Sequence, residues 1–447
     1  MKRLLISACA VVVVLAMTAP ALALDFGAAT LKGYFRTRAW WWAERDLNDD
    51  ADPNNTTHID GRLRIEPTWK INDNVTLKQR WELDLGNFEG PIVDRGTGSG
   101  DFDRQELDIN RAWAEIKLPF GKFSFGRMPF SWGEKIIDNG SENDGFRLDM
   151  KFGPLTVFPF YFKALEDSRD ILDDMDEFGV GLLYKMEWLQ AGIMTKYIQG
   201  YTSTAPAYFH GSRDRRPQGP GWPASGIQRS SAQEFNVGPY VKLAFGPFIA
   251  STEWMFRFGT SSENPNGEDR DNEAFSNAAG ILKLQYNAKP FIIIAEGGWS
   301  KGERIDMDTG EPFILDSDEA YRNDWHSDRD VDVILWEKIE GQVNNGGFVR
   351  VEGTWQATKK LRLVAQGIYS FRDQAPRDVD HAMGFEIDGW VSYSVLDNFQ
   401  INLTGGYFFS GDYFDDLAES AVFSAPRGGV TGDDDSYLLK AEFRVFF

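Results

Sequence analysis

The chain has 447 residues, a formal net charge of −21, 14% aromatic residues and 44 glycines. So acidic a protein is a poor partner for nucleic acid, and its one cysteine, Cys9, excludes disulfides and cysteine metal centres. Acid, aromatics and glycine together suit a β-barrel with aromatic girdles and acidic loops.

Residues 1–23 read as a secretory signal peptide. Lys2 and Arg3 are followed by an apolar run from Leu4 to Met17 and by Ala21-Leu22-Ala23, an A-x-A cleavage pattern. The run is shorter than the roughly 20 residues of a spanning helix. Removing 1–23 takes the net charge from −21 to −23 and removes Cys9. The mature part, 24–447, has no apolar stretch long enough to span as a helix.

From there on the chain keeps a period of two, held over about ten residues at a time and repeated along its length. Leu31, Gly33, Phe35, Thr37, Ala39 and Trp41 share one face, with Lys32, Tyr34, Arg36 and Arg38 on the other. Ile59, Gly61, Leu63, Ile65 and Trp69 alternate with Asp60, Arg62, Arg64 and Glu66. Val75, Leu77, Trp81, Leu83 and Leu85 alternate with Lys78, Arg80, Glu82 and Asp84. At the end, Tyr437, Leu439, Ala441, Phe443, Val445 and Phe447 oppose Lys440, Glu442 and Arg444. A strand of about 9–11 residues crosses a bilayer, and only a closed barrel satisfies every backbone group there.

The joints alternate in length. Short ones fall at 70–74, 119–121, 153–154, 187–189, 245–247, 287–290, 358–360 and 396–398. Long polar ones fall at 43–57, 86–104, 129–144, 166–176, 201–230, 260–273, 301–346, 372–381 and 410–435. Eight short and nine long joints connect eighteen strands, with short turns on the periplasmic side. The expected fold class is therefore all-β: a transmembrane antiparallel up-and-down barrel of about eighteen strands, sixteen to twenty being open. The phase is unclear around Asn110 and Arg111 in the fourth strand, and 301–346 has room for a further hairpin at Val331–Trp336.

A barrel of this size encloses an aqueous channel, so its inward faces carry the chemistry. Strands 1, 2, 3 and 18 adjoin on closure. Their inward cations are Lys32, Arg36, Arg38, Arg62, Arg64, Lys78, Arg80, Lys440 and Arg444, interleaved with Asp60, Glu66, Glu82, Asp84 and Glu442. These cations are the candidate solute-steering residues. With turn 70–74 as pivot, Arg36, Arg64 and Arg80 stand at one height. Guanidinium groups bind carboxylate or phosphate bidentately. The competing reading is a structural network of cross-strand Arg–Glu pairs. A mixture is expected, in which most groups pair and the surplus cations set a mild preference for anions.

The outer loops are acidic, with Asp306, Asp308, Asp316, Asp318, Asp324, Asp328, Asp330, Asp332, Asp433, Asp434 and Asp435. Asp328-x-Asp330-x-Asp332 begins like a calcium loop, but Val333 stands where a Gly is needed and Ile339 where the bidentate Glu belongs. No metal site or cofactor is expected. Loop 301–346 is too long for a plain connector. Its apolar Val331–Ile339 stretch suits either folding into the pore or packing at the mouth. The histidines His58, His210, His326 and His381 lie in or beside loops, and no catalytic motif accompanies them, so no enzyme is expected.

Segments Arg111–Glu115, Leu118–Gly121 and Phe125–Gly133 resemble the corresponding hairpin of large bacterial porin-like barrels, the alginate-export family and substrate-specific porins among them. The resemblance is specific there and architectural elsewhere. It implies the same strand number, an arginine-rich lumen and passive passage of hydrophilic, often anionic, solutes across the outer membrane. The acidic rim departs from an exporter of a polyuronate, so alginate is not carried over as substrate.

The expected partners are outer-membrane lipid, lipopolysaccharide, small hydrophilic solutes and the outer-membrane assembly machinery, which reads a terminal aromatic such as Phe447. Oligomeric state is left open, because lipid-facing and subunit-facing surfaces are both apolar. The alternative function is a barrel-anchored surface binding or adhesion protein presenting loops 201–230 and 301–346.

Overall fold

The computed structural model describes residues 29–43, 56–87, 107–136, 139–165, 175–202, 230–262, 273–301, 334–335, 345–375, 379–419 and 435–447. The export signal, the calcium-like run 328–332, Asp433, Asp434, His210 and His326 lie outside them. No helix among the described residues is long and apolar enough to cross a membrane.

Eighteen strands form one sheet that closes on itself. They are β1 (Ala29–Ala43), β2 (Thr56–Lys70), β3 (Val75–Asn87), β4 (Leu107–Leu118), β5 (Gly121–Ser131), β6 (Asn139–Phe152), β7 (Leu155–Leu165), β8 (Met175–Lys185) and β9 (Leu189–Thr202). After these come β10 (Ser230–Phe245), β11 (Phe248–Ser262), β12 (Glu273–Ala288), β13 (Phe291–Ser300), β14 (Gly346–Gln356), β15 (Leu361–Arg372), β16 (Ala382–Leu396), β17 (Phe399–Ser410) and β18 (Ser436–Phe446), with a short helix α1 (Asp412–Glu419) before the last strand. Each strand pairs antiparallel with its sequence neighbours, and β1 pairs with β18 to close the barrel. Each of the eight short joints and nine long ones falls between two strands, and the bounds of one, 129–144, differ markedly from the expected ones.

Alternation decides which side chains face where. On β8, Phe178, Val180 and Leu182 are exposed while the neighbouring Glu177 is buried. On β14, Val349 and Val351 are exposed while Arg350 and Glu352 are buried. Exposed apolar side chains on one face and buried charges on the other invert the arrangement of a water-soluble protein. In a lipid setting the same arrangement is favourable on both faces. Outward aromatic pairs mark the two edges of the apolar belt: Trp188–Phe245, Phe248–Tyr286 and Phe291–Trp355 near the short turns, Trp41–Tyr437 and Phe385–Phe409 near the long loops. Such girdles suit the interface, where one end of each ring is wet.

The turn chemistry is local. In the β2–β3 turn, Asn72 Oδ1 accepts hydrogen bonds from the Asn74 and Val75 amides at 2.8 and 2.9 Å, an Asx-type closure. Lys70 Nζ lies 2.9 Å from Asp73, and its hydrogen bond holds that carboxyl below the ordinary carboxylate range.

The seam is tied at the last residue. Gly33 N donates to Phe447 O at 3.0 Å, and Phe447 N donates to Gly33 O at 3.1 Å. A Cβ at position 33 would strike the Arg64 carbonyl and the Phe447 ring, so only glycine admits the terminal aromatic there. Further up, Trp42 Nε1 donates to Ser436 Oγ at 2.9 Å.

One expected boundary needs correction, and the unclear phase of the fourth strand has a structural cause. The stretch 129–144 is not wholly an outer loop. β5 continues to Ser131 and β6 begins at Asn139, because Met128 and Phe130 keep the alternation going onto an apolar inward patch. In β4 the phase is broken by a bulge: Arg80 pairs with Arg111 and Trp81 with Ile109, leaving Asn110 as the extra residue.

Candidate functional site

The inward side chains of β18, β1, β2 and β3 form a continuous charged wall, and its register differs from the one expected. Arg36 stands opposite Arg62 on one side and Arg444 on the other. Arg64 stands opposite Tyr34 and Glu82, and Thr68 opposite Lys78. Arg36, Arg64 and Arg80 therefore do not share a row. The row of three arginines is Arg444, Arg36 and Arg62. The hairpin pivots one residue beyond the expected centre, which slips the pairing by two.

Most of these cations are paired. Arg38 Nε donates to both oxygens of Asp60 at 2.9 and 3.1 Å, and Trp40 Nε1 donates to the same carboxylate at 3.1 Å. Arg444 lies 2.7 Å from Glu442, whose other oxygen is 3.9 Å from Arg36 Nε. Glu82 is shared by Arg64, in close contact, and by Arg62 at 3.7 Å. Arg80 Nε donates to Glu66 at 2.7 Å, and Lys78 reaches Glu115 at 3.0 Å. Lys32 is exposed and makes no ion pair among the described residues. Lys440 faces inward between Trp40 and Thr404. The Tyr34 ring carries a guanidinium on each side, Arg64 and Arg444 each 5.1 Å from its centroid. An aromatic face favours a cation there and holds both planes in place. The side chain of Asp84 lies outside the described residues.

Two inward-packing segments complete the lumen. Between β5 and β6 the chain leaves the wall. Trp132 is buried, its Nε1 donating to Gly238 O of β10 at 3.1 Å, and its ring meets Phe158 and Tyr240. Glu134 reaches Lys283 of β12 at 3.7 Å. This segment thus runs from β5 to strands well round the barrel. Its apolar support consists of Met128, Phe130, Phe158, Phe160, Phe162, Met194 and Met255, all buried. Phe158 and Phe160 lie over Gly181 and Gly179, where any Cβ would collide with the rings. Buried rings are not available to a solute, so this cluster is a buttress and not a slide for apolar cargo.

The second segment contains Ile334 and Leu335, the residues described in the interior of the long loop, away from its ends at Lys301 and Asn345. Both are fully buried against inward side chains of β14, β15, β17 and β18, together with Tyr413 and Phe414 of α1. Their amides donate to the two oxygens of Glu386 on β16, at 2.9 and 3.0 Å.

No family model matches the chain, and no curated protein matches it. Solved structures do. The chain is similar to OccK8 (OprE) of Pseudomonas aeruginosa, at 10% identity and a TM-score of 0.53, covering 93% of this chain and 98% of that one. A BenF-like porin from Pseudomonas fluorescens Pf-5 gives 9% and 0.53, over 93% and 99%. OccAB1 of Acinetobacter baumannii gives 11% and 0.52, over 93% and 97%. The fold is that of an outer-membrane porin. At such identity the likeness carries the fold and not the solute.

Within the porin fold, the cationic wall extends further than alternation on the first strands suggested. Arg111 faces inward to Glu142 at 3.3 Å, and Lys117, Lys122, Arg147 and Lys151 continue the row across β4, β5 and β6. The alternation Trp113, Glu115, Lys117 and Arg147, Asp149, Lys151 was visible, but the bulge at Asn110 obscured which face it belonged to. The other wall is different. Arg257 pairs with Glu234 and Arg350 with Glu296, each at 2.5 Å, and Lys196 with Glu177 at 3.3 Å. Glu253, Glu352 and Asp388 are buried there as well. Among the described residues, cations outnumber acids on the β18–β6 side and are balanced by them on the β10–β16 side. His381, the histidine whose side chain is described, donates from Nδ1 to Arg372 O at 2.9 Å beside the β15–β16 joint. No group of His, Cys, Asp and Glu suited to a metal ion occurs among the described residues.

Proposed function

We propose that the protein is a passive channel for hydrophilic solutes in a bacterial outer membrane, with a mild preference for anions set by the β18–β3 wall. The observation that carries this reading is the row Arg444–Arg36–Arg62. Three guanidinium groups occupy directly opposed positions on three adjacent strands. Like charges directly opposite one another destabilise a sheet, so stability alone does not account for them. Their positive field is what they offer to a passing solute. Arg36, Arg62, Arg64, Arg80 and Arg444 are the steering residues in this reading, with Lys32, Arg38, Lys78 and Lys440 contributing charge around them. The ion pairs to Asp60, Glu66, Glu82 and Glu442 keep the guanidinium planes fixed, so that the field is preorganised.

In this reading the short turns face the periplasm, residues 1–23 direct export, and the long loop narrows the pore through the Ile334–Leu335 anchor. The acidic residues of the outer loops oppose a polyanion such as alginate, and small anions suit the wall better. Reconstituted in planar bilayers, the channel is expected to give reversal potentials in a salt gradient on the anion-selective side. A clear cation preference would overturn the anionic part of the reading. Absence of conductance would favour the barrel-anchored binding protein instead.

A further inference from the structure

The basic wall does not end at β3. Near the short turns it opens into a cavity of about 870 Å³ on the inward faces of β3–β7, bounded by the turn at 119–120. This is the size of an ordinary small-molecule site. At its floor, Glu115 takes Lys78 Nζ at 3.0 Å, Lys122 Nζ at 3.2 Å and Trp113 Nε1 at 3.3 Å. One carboxylate therefore fixes two ammonium groups and an indole. Lys78 stands 5.7 Å from the Trp113 ring centroid. Beside it, Arg147 is held by Asp149 at 2.6 Å and lies 4.3 Å from the Phe158 ring centroid.

Two lysines of the cavity are left over. Lys117 and Lys151 are exposed and make no ion pair among the described residues. The acid near Lys117 is Asp73 of the adjacent turn, already engaged by Lys70. Lys117 stands directly opposite Lys122 across the β4–β5 ladder, and the Lys151 amide bonds to the Phe120 carbonyl of the turn between those strands. Five cations of the cavity face two carboxylates. Higher on the wall each guanidinium row has its own acids, whereas here the charge surplus falls on two exposed lysines beside the Trp113 floor.

We propose that this cavity is a second binding station at the exit of the channel, for a small organic dianion. The two free ammonium groups, Lys117 and Lys151, take its charges, and its carbon body rests on Trp113. A lysine is a compact point charge on a flexible stem, so the station accepts either a dicarboxylate or a phosphomonoester. Its task is to hold the solute briefly at the low end of the wall, as conduction through successive weak sites requires.

The site deepens the channel reading but is tested separately from it. Titrate the full-length barrel, refolded in detergent micelles, by calorimetry with succinate, with glycerol 1-phosphate and with the monoanion butyrate. Succinate or glycerol 1-phosphate is expected to bind at least tenfold more tightly than butyrate. The preference is expected to disappear in the double variant Lys117→Gln, Lys151→Gln, whose exposed positions leave the barrel intact by its heat-dependent gel mobility. Trp113→Leu is expected to weaken succinate several-fold while keeping the charge preference. A difference between the two dianions identifies which class the station favours. Equal affinity for dianion and monoanion, or an unchanged preference in the double variant, overturns the proposal, and either result is readable whether or not the barrel conducts.

Discussion

Arg36 has an arginine on each side of it, and Glu442 is the carboxylate that makes this tolerable. Opposed like charges cost a few tenths to about 1 kcal/mol in a sheet. Arg36→Gln is therefore expected to leave stability unchanged or raise it by up to about 1 kcal/mol, while lowering anion over cation permeability. Urea unfolding in lipid vesicles reads the first and reversal potentials read the second. Glu442→Gln should act in the opposite sense. It leaves Arg36 and Arg444 without their shared acid, costs about 1.5–3 kcal/mol, and increases anion preference. A loss of selectivity in Glu442→Gln would mean that the arginines are positioned by it and not balanced by it. At this scale the sequence was legible in parity and not in register. Arginine occurs at both 36 and 38 and at both 62 and 64, so a slip of two residues leaves the charge pattern nearly the same. Only the turn geometry and the bulges, at Asp60/Arg62 and at Arg80/Trp81, choose between the alternatives.

Strands and short turns were readable because both are local: a period of two and a few Gly, Pro, Asn and Asp residues specify them. The inward-packing segments were not, since their partners are remote. Trp132 bonds to a carbonyl 106 residues away, and Ile334 to a carboxylate 52 residues away. A Trp after the β5 alternation, and a Glu between Phe385 and Ile387 of β16, are the local hints. Removing these anchors should free the segments without unfolding the barrel. Trp132→Ala deletes a buried ring from a packed cluster, a loss of about 3–5 kcal/mol. Its expected result is noisier single-channel current with larger mean conductance. Glu386→Gln replaces one of two carboxylate acceptors by a donor, which weakens the hold on the Ile334 and Leu335 amides. Proteolysis at the long loop is expected to be several-fold faster in this variant, with the barrel core resistant. Unchanged cleavage would mean that the apolar packing alone holds the loop.

At the scale of the whole molecule, alternation and joint lengths were enough for closure and strand number. The asymmetry of charge round the lumen was only half visible, because the bulged β4 hid its continuation. That asymmetry has a consequence for ionic strength. The surplus of cations on the β18–β6 wall acts through a field that salt screens, over about 10 Å at 0.1 M and about 3 Å at 1 M. Anion preference is therefore expected to fall as the salt concentration rises, as measured by reversal potentials at two salt levels with the same gradient ratio. An unchanged preference would place the selectivity outside this wall.

The seam joins residues from opposite ends of the chain: Trp42 and Ser436, which share a hydrogen bond, are 394 positions apart. Chain entropy is a small obstacle to that meeting. Loop closure grows only logarithmically with length, so joining these ends costs about 3 kcal/mol more than closing a ten-residue hairpin. The harder problem is one of order in time. Until β18 arrives, β1 offers a row of unpaired amides and carbonyls, a template on which any other strand can add. A nascent sheet of this kind needs its leading edge shielded for as long as it takes to deliver the rest of the chain. The pair of hydrogen bonds between Gly33 and Phe447 forms only once β18 lies beside β1, and with it that exposed edge is gone.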